Sequence, residues 1–232
     1  DNIADIDWPE SMSESFQAAK AFLPLVSGDV RNYIANTHAE MQFLFLGDLA
    51  IPLTINNPLT KNSYVCSPLC QYAIYPQDEL VHLSSLVQRH IFSIGLKGME
   101  QWLRRSYIDQ VVYLNNWLVS TNLYPPISTH QLETIHKIAL GRFPQHAIAW
   151  RSINPRNHQE LMSKAVSLGY SCVGSRRIYF QDHVLDIPYK SKSYRRDRKL
   201  FKDYGYTVTP IYEPDNETVD RIIHLYRMLY ID

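Results

Sequence analysis

The chain predicts an α/β (α+β) fold, a mixed central β-sheet flanked by helices, on three observations. Short runs of β-branched, aromatic and aliphatic residues alternate with stretches in which apolar residues recur every three or four positions, as strands alternate with helices. Of the 232 residues, 45% are apolar and 12% aromatic, enough to bury a substantial core. Only 8 glycines stand against 16 tyrosines and 13 prolines, which argues for stiff, proline-marked connections and against a glycine-dependent nucleotide fold.

The elements follow in order. Residues 1–40 read as an N-terminal arm carrying one short helix, SFQAAKAFLPLV, stopped by Pro24. The α/β domain then spans residues 41–232. It opens with MQFLFLGDLAIPLTI, two β-prone runs around Gly47-Asp48, the signature of a hairpin. NSYVCSPLCQYAIYP, punctuated by Pro68 and Pro76, reads as a further extended segment. Over residues 78–105 the spacing of Leu80, Leu83, Leu86 or Val87, Ile91, Ile94 and Trp102 predicts a long helix with one buried face, divided at Gly95 or Gly98.

Residues 111–114, VVYL, have the pattern of a buried central strand. Ser128 or Thr129 caps a helix over 130–143, ended by Pro144, and residues 147–153 make a second buried strand. A helix over 157–168 closes at Gly169. Residues 170–182 read as one or two strands, 193–204 as a basic helix stopped by Gly205, and 206–212 as another strand. A terminal amphipathic helix over 218–230 carries Val219, Ile222, Ile223, Tyr226 and Leu229 on one side.

Charge is balanced overall and uneven locally. Residues 1–88 hold 3 Lys/Arg against 10 Asp/Glu, whereas residues 142–202 hold 13 against 4, so the basic stretch is expected to attract an anion. Cys66, Cys70 and Cys172 are too few and too scattered for a zinc site, so no metal is expected and the thiols read as reduced. No apolar run approaches the ~20 residues of a membrane helix, and the N-terminus lacks a basic stretch before an apolar one, so the expectation is a cytoplasmic protein without a membrane span. The nine histidines show no metal spacing, and Walker, G-x-S-x-G and G-x-G-x-x-G motifs are missing. Phosphate-loop ATPase, serine hydrolase and dinucleotide dehydrogenase chemistry are therefore disfavoured.

Two groups of residues are candidates for binding. In open α/β sheets ligands sit beyond the carboxyl ends of strands, where this chain places Asn115, Asn116, Ser120, Thr121 and Asn122 after one strand and Arg151, Ser152 and Asn154 after the other. Asn116, Ser120, Asn122, Arg151 and Ser152 are the candidate substrate contacts. Turn and cap formation is the competing reading for the Asn and Ser residues. Arg151, inside AIAWRSI, must find an anionic or a carbonyl partner. The second group is cationic: Arg176 and Arg177, then Arg195 and Lys199 on the basic helix with Tyr194 and Tyr204 beside them, candidates for anion binding. A solvated helix face is the competing reading there. No catalytic nucleophile or base is identified.

The segments VVYLNNWLVSTNLYP, AIAWRSINPRNHQELMSKAVSLGYSCVGSRRIYFQD and YRRDRKLFKDYGY together resemble the GNAT-like N-acyltransferase superfamily, on the side of the Fem-type aminoacyltransferases, over roughly residues 60–232. The resemblance implies a GNAT-like sheet, acyl-CoA as co-substrate or tRNA as the carrier of the acyl group, and a small-molecule amine as acceptor. Members often carry two such domains, so the chain is expected to be one of a tandem pair. It also implies a base or water chain that takes the amine proton, and backbone N–H groups that hold the carbonyl oxygen. One departure stands out: the Q/R-x-x-G-x-G/A loop that holds the CoA pyrophosphate in the family is nowhere in the sequence. Two alternatives therefore remain beside the transferase, a catalytically inactive binding module for an anionic ligand and a nucleic-acid-binding protein.

Overall fold

Gly47 adopts φ +61°, a left-handed conformation that costs glycine little, and so closes a hairpin between β1 (Glu40–Leu46) and β2 (Leu49–Asn56). The computed structural model describes residue 8 and residues 12–57, 62–180 and 191–230. Strand β3 (Val111–Leu114) pairs antiparallel with β2, and β4 (Ala147–Trp150) pairs parallel with β3, giving a four-stranded mixed sheet in the order β1-β2-β3-β4. The parallel pair requires a crossover, which α4 (Thr129–Arg142) supplies. A capping box starts that helix: Ser128 Oγ accepts from the Gln131 N–H at 3.2 Å, and Gln131 Oε1 accepts from the Ser128 N–H at 2.9 Å.

Side chains alternate across a strand, and β2 shows why it lies at the centre. Leu49, Ile51, Leu53 and Ile55 face one way and form the main core with Val112 and Leu114 of β3 and Ile135, Ala139 and Phe143 around α4. Ala50 faces the other way and packs with Phe16 and Ala19 of α1 (Glu14–Ser27), among Trp8, Phe43, Phe45 and Trp117. Helix α1 thus covers one face of the sheet and α4 the other. Pro24, expected to stop α1, lies inside it, and the helix runs one turn further to Ser27.

Two expectations about the stretch between β2 and β3 are overturned. From Pro68 onward the residues read as an extended segment are helical: Ser67 Oγ accepts from the Cys70 N–H at 2.9 Å, Pro68 stands where a missing N–H costs nothing, and a wide π-helical turn, Cys70–Ile74, leads into α2 (Tyr75–Glu79). Pro76 lies inside this run, where a ring that clashes with a regular i−4 carbonyl favours the wider turn. The long helix is not continuous either. A 3₁₀ turn, Leu80–His82, precedes a break, and α3 (Leu86–Arg105) restarts on a Ser85 cap and passes unbroken through Gly95 and Gly98. Of its expected inner face, Ile91, Ile94 and Trp102 are more than 60% exposed, while Leu103 is buried against Leu69 and Ala73. Periodicity identified an apolar stripe but not its partner.

A buried polar network ties this insertion to the sheet. Asn56 Nδ2 donates to the Asp109 carbonyl at 2.9 Å and Asn62 Nδ2 to Asn56 Oδ1 at 2.6 Å. The Asp109 carboxylate accepts from Ser67 Oγ at 2.7 Å and from the Leu69 N–H at 2.8 Å.

The chain forms two units, residues 1–175 and 176–232. The second holds α6 (Lys192–Asp203), capped by Ser191, and α7 (Asn216–Tyr230). Strands were expected at residues 170–182 and 206–212. Residues 170–180 and 206–212 adopt neither helix nor strand, and residues 181 and 182 lie outside the described residues. Aromatic and β-branched composition produces a strand only where a neighbouring strand takes up its hydrogen bonds. Among the described residues no helix is long and apolar enough to cross a membrane.

Candidate functional site

The carboxyl ends of the parallel strands β3 and β4 each turn sharply. Asn115 (φ +55°) and Leu118 (φ +60°) follow β3, and Ser152 (φ +65°) follows β4. Asn tolerates the left-handed region, whereas Leu118 stores strain of roughly 1 kcal/mol or more. These turns send residues 115–128 across the strand ends.

Asn116, fully buried, is the hub of this region. Its Nδ2 donates to Thr54 Oγ1 of β2 and to the Val65 carbonyl of the insertion, both at 2.8 Å. Its Oδ1 accepts from Nη1 of Arg151 at 3.1 Å. Arg151 is 8% exposed and also donates from Nη1 to the Val119 carbonyl and from Nη2 to the Ser120 carbonyl, each at 3.1 Å. Among the described residues Arg151 finds carbonyl partners, and its guanidinium staples the loop. Cys66, buried beside it, has its thiol pushed up to about 12 by loss of water, an effect that the neighbouring positive charge of Arg151 opposes.

The expected substrate contacts therefore separate by position. Asn116, Arg151 and the Ser120 backbone converge, but as an internal scaffold. Asn122 is buried; its Oδ1 accepts from the Trp117 N–H at 3.2 Å, and its Nδ2 has no hydrogen-bond partner among the described residues. Ser152 is half-buried at its turn. Arg176, Arg177, Arg195 and Lys199 are all exposed and belong to the second unit. Among the described residues no group of three or more His, Cys, Asp or Glu is arranged to hold a metal.

Sequence reading missed the cleft itself. It has a volume of about 270 Å³ and lies between the Tyr124, Pro125, Pro126 and Ile127 segment and the start of α5 (Gln159–Ser167), where Asn157, His158, Glu160 and Leu161 line it. Tyr124 joins it to the scaffold, because the phenol hydroxyl donates to the Arg151 carbonyl. Burial holds that phenol well above its ordinary value, so it remains a donor at neutral pH. Its ring lies 5.0 Å from that of His158, centroid to centroid.

His158 precedes α5 without capping it. Its ring is engaged elsewhere: Nδ1 accepts from the Asn154 backbone N–H at 3.3 Å and lies 3.3 Å from Asn154 Nδ2, while Asn154 Oδ1 accepts from the Asn157 N–H at 2.9 Å. Partial burial lowers the His158 pKa. Glu160, the acidic group at the rim, is ion-paired with Lys164, which holds its carboxyl below the usual range. The one legible sign of this wall was Pro125-Pro126, a stiff pair beside an aromatic ring. Nothing in the sequence joined it to His158.

Compared with protein-family models, with curated proteins and with solved structures, the chain matches none.

Proposed function

We propose that the chain is an N-acyltransferase, moving an acyl or aminoacyl group from a CoA-type or tRNA-type donor to the nitrogen of a small amine. One observation supports the reading beyond the resemblance: the cleft at residues 124–127 and 157–161 follows the loops that leave the carboxyl ends of the parallel pair β3 and β4, where open α/β sheets bind ligands. In the reaction the amine nitrogen forms the new C–N bond, the C–S bond of a thioester or the C–O bond of an aminoacyl ester breaks, and the amine proton leaves with the thiol or hydroxyl. No covalent enzyme intermediate is required. Arg176, Arg177, Arg195 and Lys199, exposed in the second unit, are candidates for anion binding by charge alone.

A thermal-shift series with acetyl-CoA, longer acyl-CoAs, tRNA and inorganic pyrophosphate tests this, because a ligand that binds only the folded state raises its melting temperature. The expected result is a concentration-dependent rise with an acyl-CoA or with tRNA, followed by amide formation when a panel of primary amines is added. No rise with any of these donors overturns the reading.

A second reading, binding without turnover, has its own support. No side chain lining the cleft is a free base, since His158 already accepts at Nδ1 and Glu160 is paired. Donor binding without amide formation for any amine distinguishes it.

A further inference from the structure

We propose that His158 serves the cleft as a hydrogen-bond donor, presenting Nε2–H to a carbonyl-type oxygen of the bound ligand. The assignment of the proton follows from geometry. A backbone N–H can only donate, so the Asn154 N–H at 3.3 Å requires a lone pair on Nδ1. A neutral imidazole carries one proton, which then resides on Nε2. That nitrogen makes no hydrogen bond among the described residues, although the ring lines a cleft of about 270 Å³.

The surroundings keep the ring neutral and still. Burial already disfavours the imidazolium, and the ring stands at the start of α5, whose end carries partial positive charge, so a second proton is opposed from both sides. Glu160, the acidic group at the rim, is committed to Lys164. Tyr124 packs against one side of the ring, and Asn154 holds its inner nitrogen, so little ordering remains to be done when a ligand arrives.

This assignment rests on the acyl-transfer reading only for what the oxygen belongs to. Under that reading it is the donor carbonyl, whose developing negative charge in the tetrahedral intermediate strengthens the hydrogen bond while the proton stays on Nε2. The chemistry to which the cleft is matched is otherwise any amide, ester, thioester or carboxylate oxygen.

The test uses the full chain with ¹⁵N-labelled histidine, the His158 signals being identified by their loss in His158→Gln. Long-range ¹H–¹⁵N spectra at neutral pH are expected to show the Nε2–H tautomer, and acetamide is expected to shift the Nε2 signal. An Nδ1–H tautomer, or no response to acetamide, overturns the proposal. Two variants complete it. His158→Asn retains an acceptor near the Nδ1 position but has no group at Nε2, whereas His158→Gln extends an N–H to the Nε2 position. Loss of one hydrogen bond predicts acetyl-CoA affinity about threefold to tenfold weaker for Asn, at an unchanged melting temperature without ligand, and largely retained for Gln. Equal affinity for Asn and wild type overturns the proposal while leaving acyl-donor binding intact. Failure of acetyl-CoA, longer acyl-CoAs and tRNA alike to bind the wild type, with the tautomer and the acetamide response as expected, removes the acyl-transfer reading and leaves the donor role standing.

Discussion

Arg151 illustrates what a single residue can and cannot announce. An arginine inside an apolar strand must be satisfied, and that much was legible from AIAWRSI; that its partners include the Val119 and Ser120 carbonyls and Asn116 depends on a loop whose path is set by left-handed turns at Asn115 and Leu118. Arg151→Met removes the donor from one buried acceptor, Asn116 Oδ1, and from two part-buried loop carbonyls. A loss of stability of about 2–4 kcal/mol is expected, read as a lower urea midpoint at unchanged slope. An unchanged midpoint would contradict the staple and restore Arg151 to the candidate ligand contacts. His158 carries the pH dependence of its own site. With its pKa lowered in the folded state, its contribution to stability is present above the ordinary imidazole value and is lost as pH falls through the lowered one, because the unfolded chain takes up the proton first.

Elements were most legible where local chemistry was complete. The hairpin at Gly47-Asp48, the buried strand VVYL and the Ser128-capped α4 each carry their signal within a few residues. Ser128→Ala removes one half of the capping box, and a loss of about 1 kcal/mol is expected in thermal or urea unfolding. No loss would mean that packing of Ile135 and Ala139 alone sets where α4 begins. Elements were illegible where one residue reverses the reading. Pro68 and Pro76 look like strand punctuation until Ser67 is seen to cap the helical run that contains them. The stripe of α3 was legible as apolar, yet burial is a property of two surfaces, and only the end near Leu103 meets one.

At the scale of the whole molecule, the mixed sheet and its flanking helices were legible and the division of the chain was not. Every apolar cluster among the described residues lies before residue 151, and the described residues of the second unit include no buried side chain. Residues 1–175 expressed alone are therefore expected to retain the helix and strand content of the first unit and to melt cooperatively, by far-UV circular dichroism. Loss of cooperative melting would show that residues 176–232 are needed to complete that fold. The cations Arg176, Arg177, Arg195 and Lys199 belong to this second unit, whereas Arg151 belongs to the first.

Asn116 adds a thermodynamic consequence. One amide joins a central strand through Thr54, the insertion through Val65 and the far strand end through Arg151. Free energies assigned to these positions one at a time will not sum, since each single replacement already loosens what the others hold. The stability of the region is a property of the junction, and it disappears as a unit.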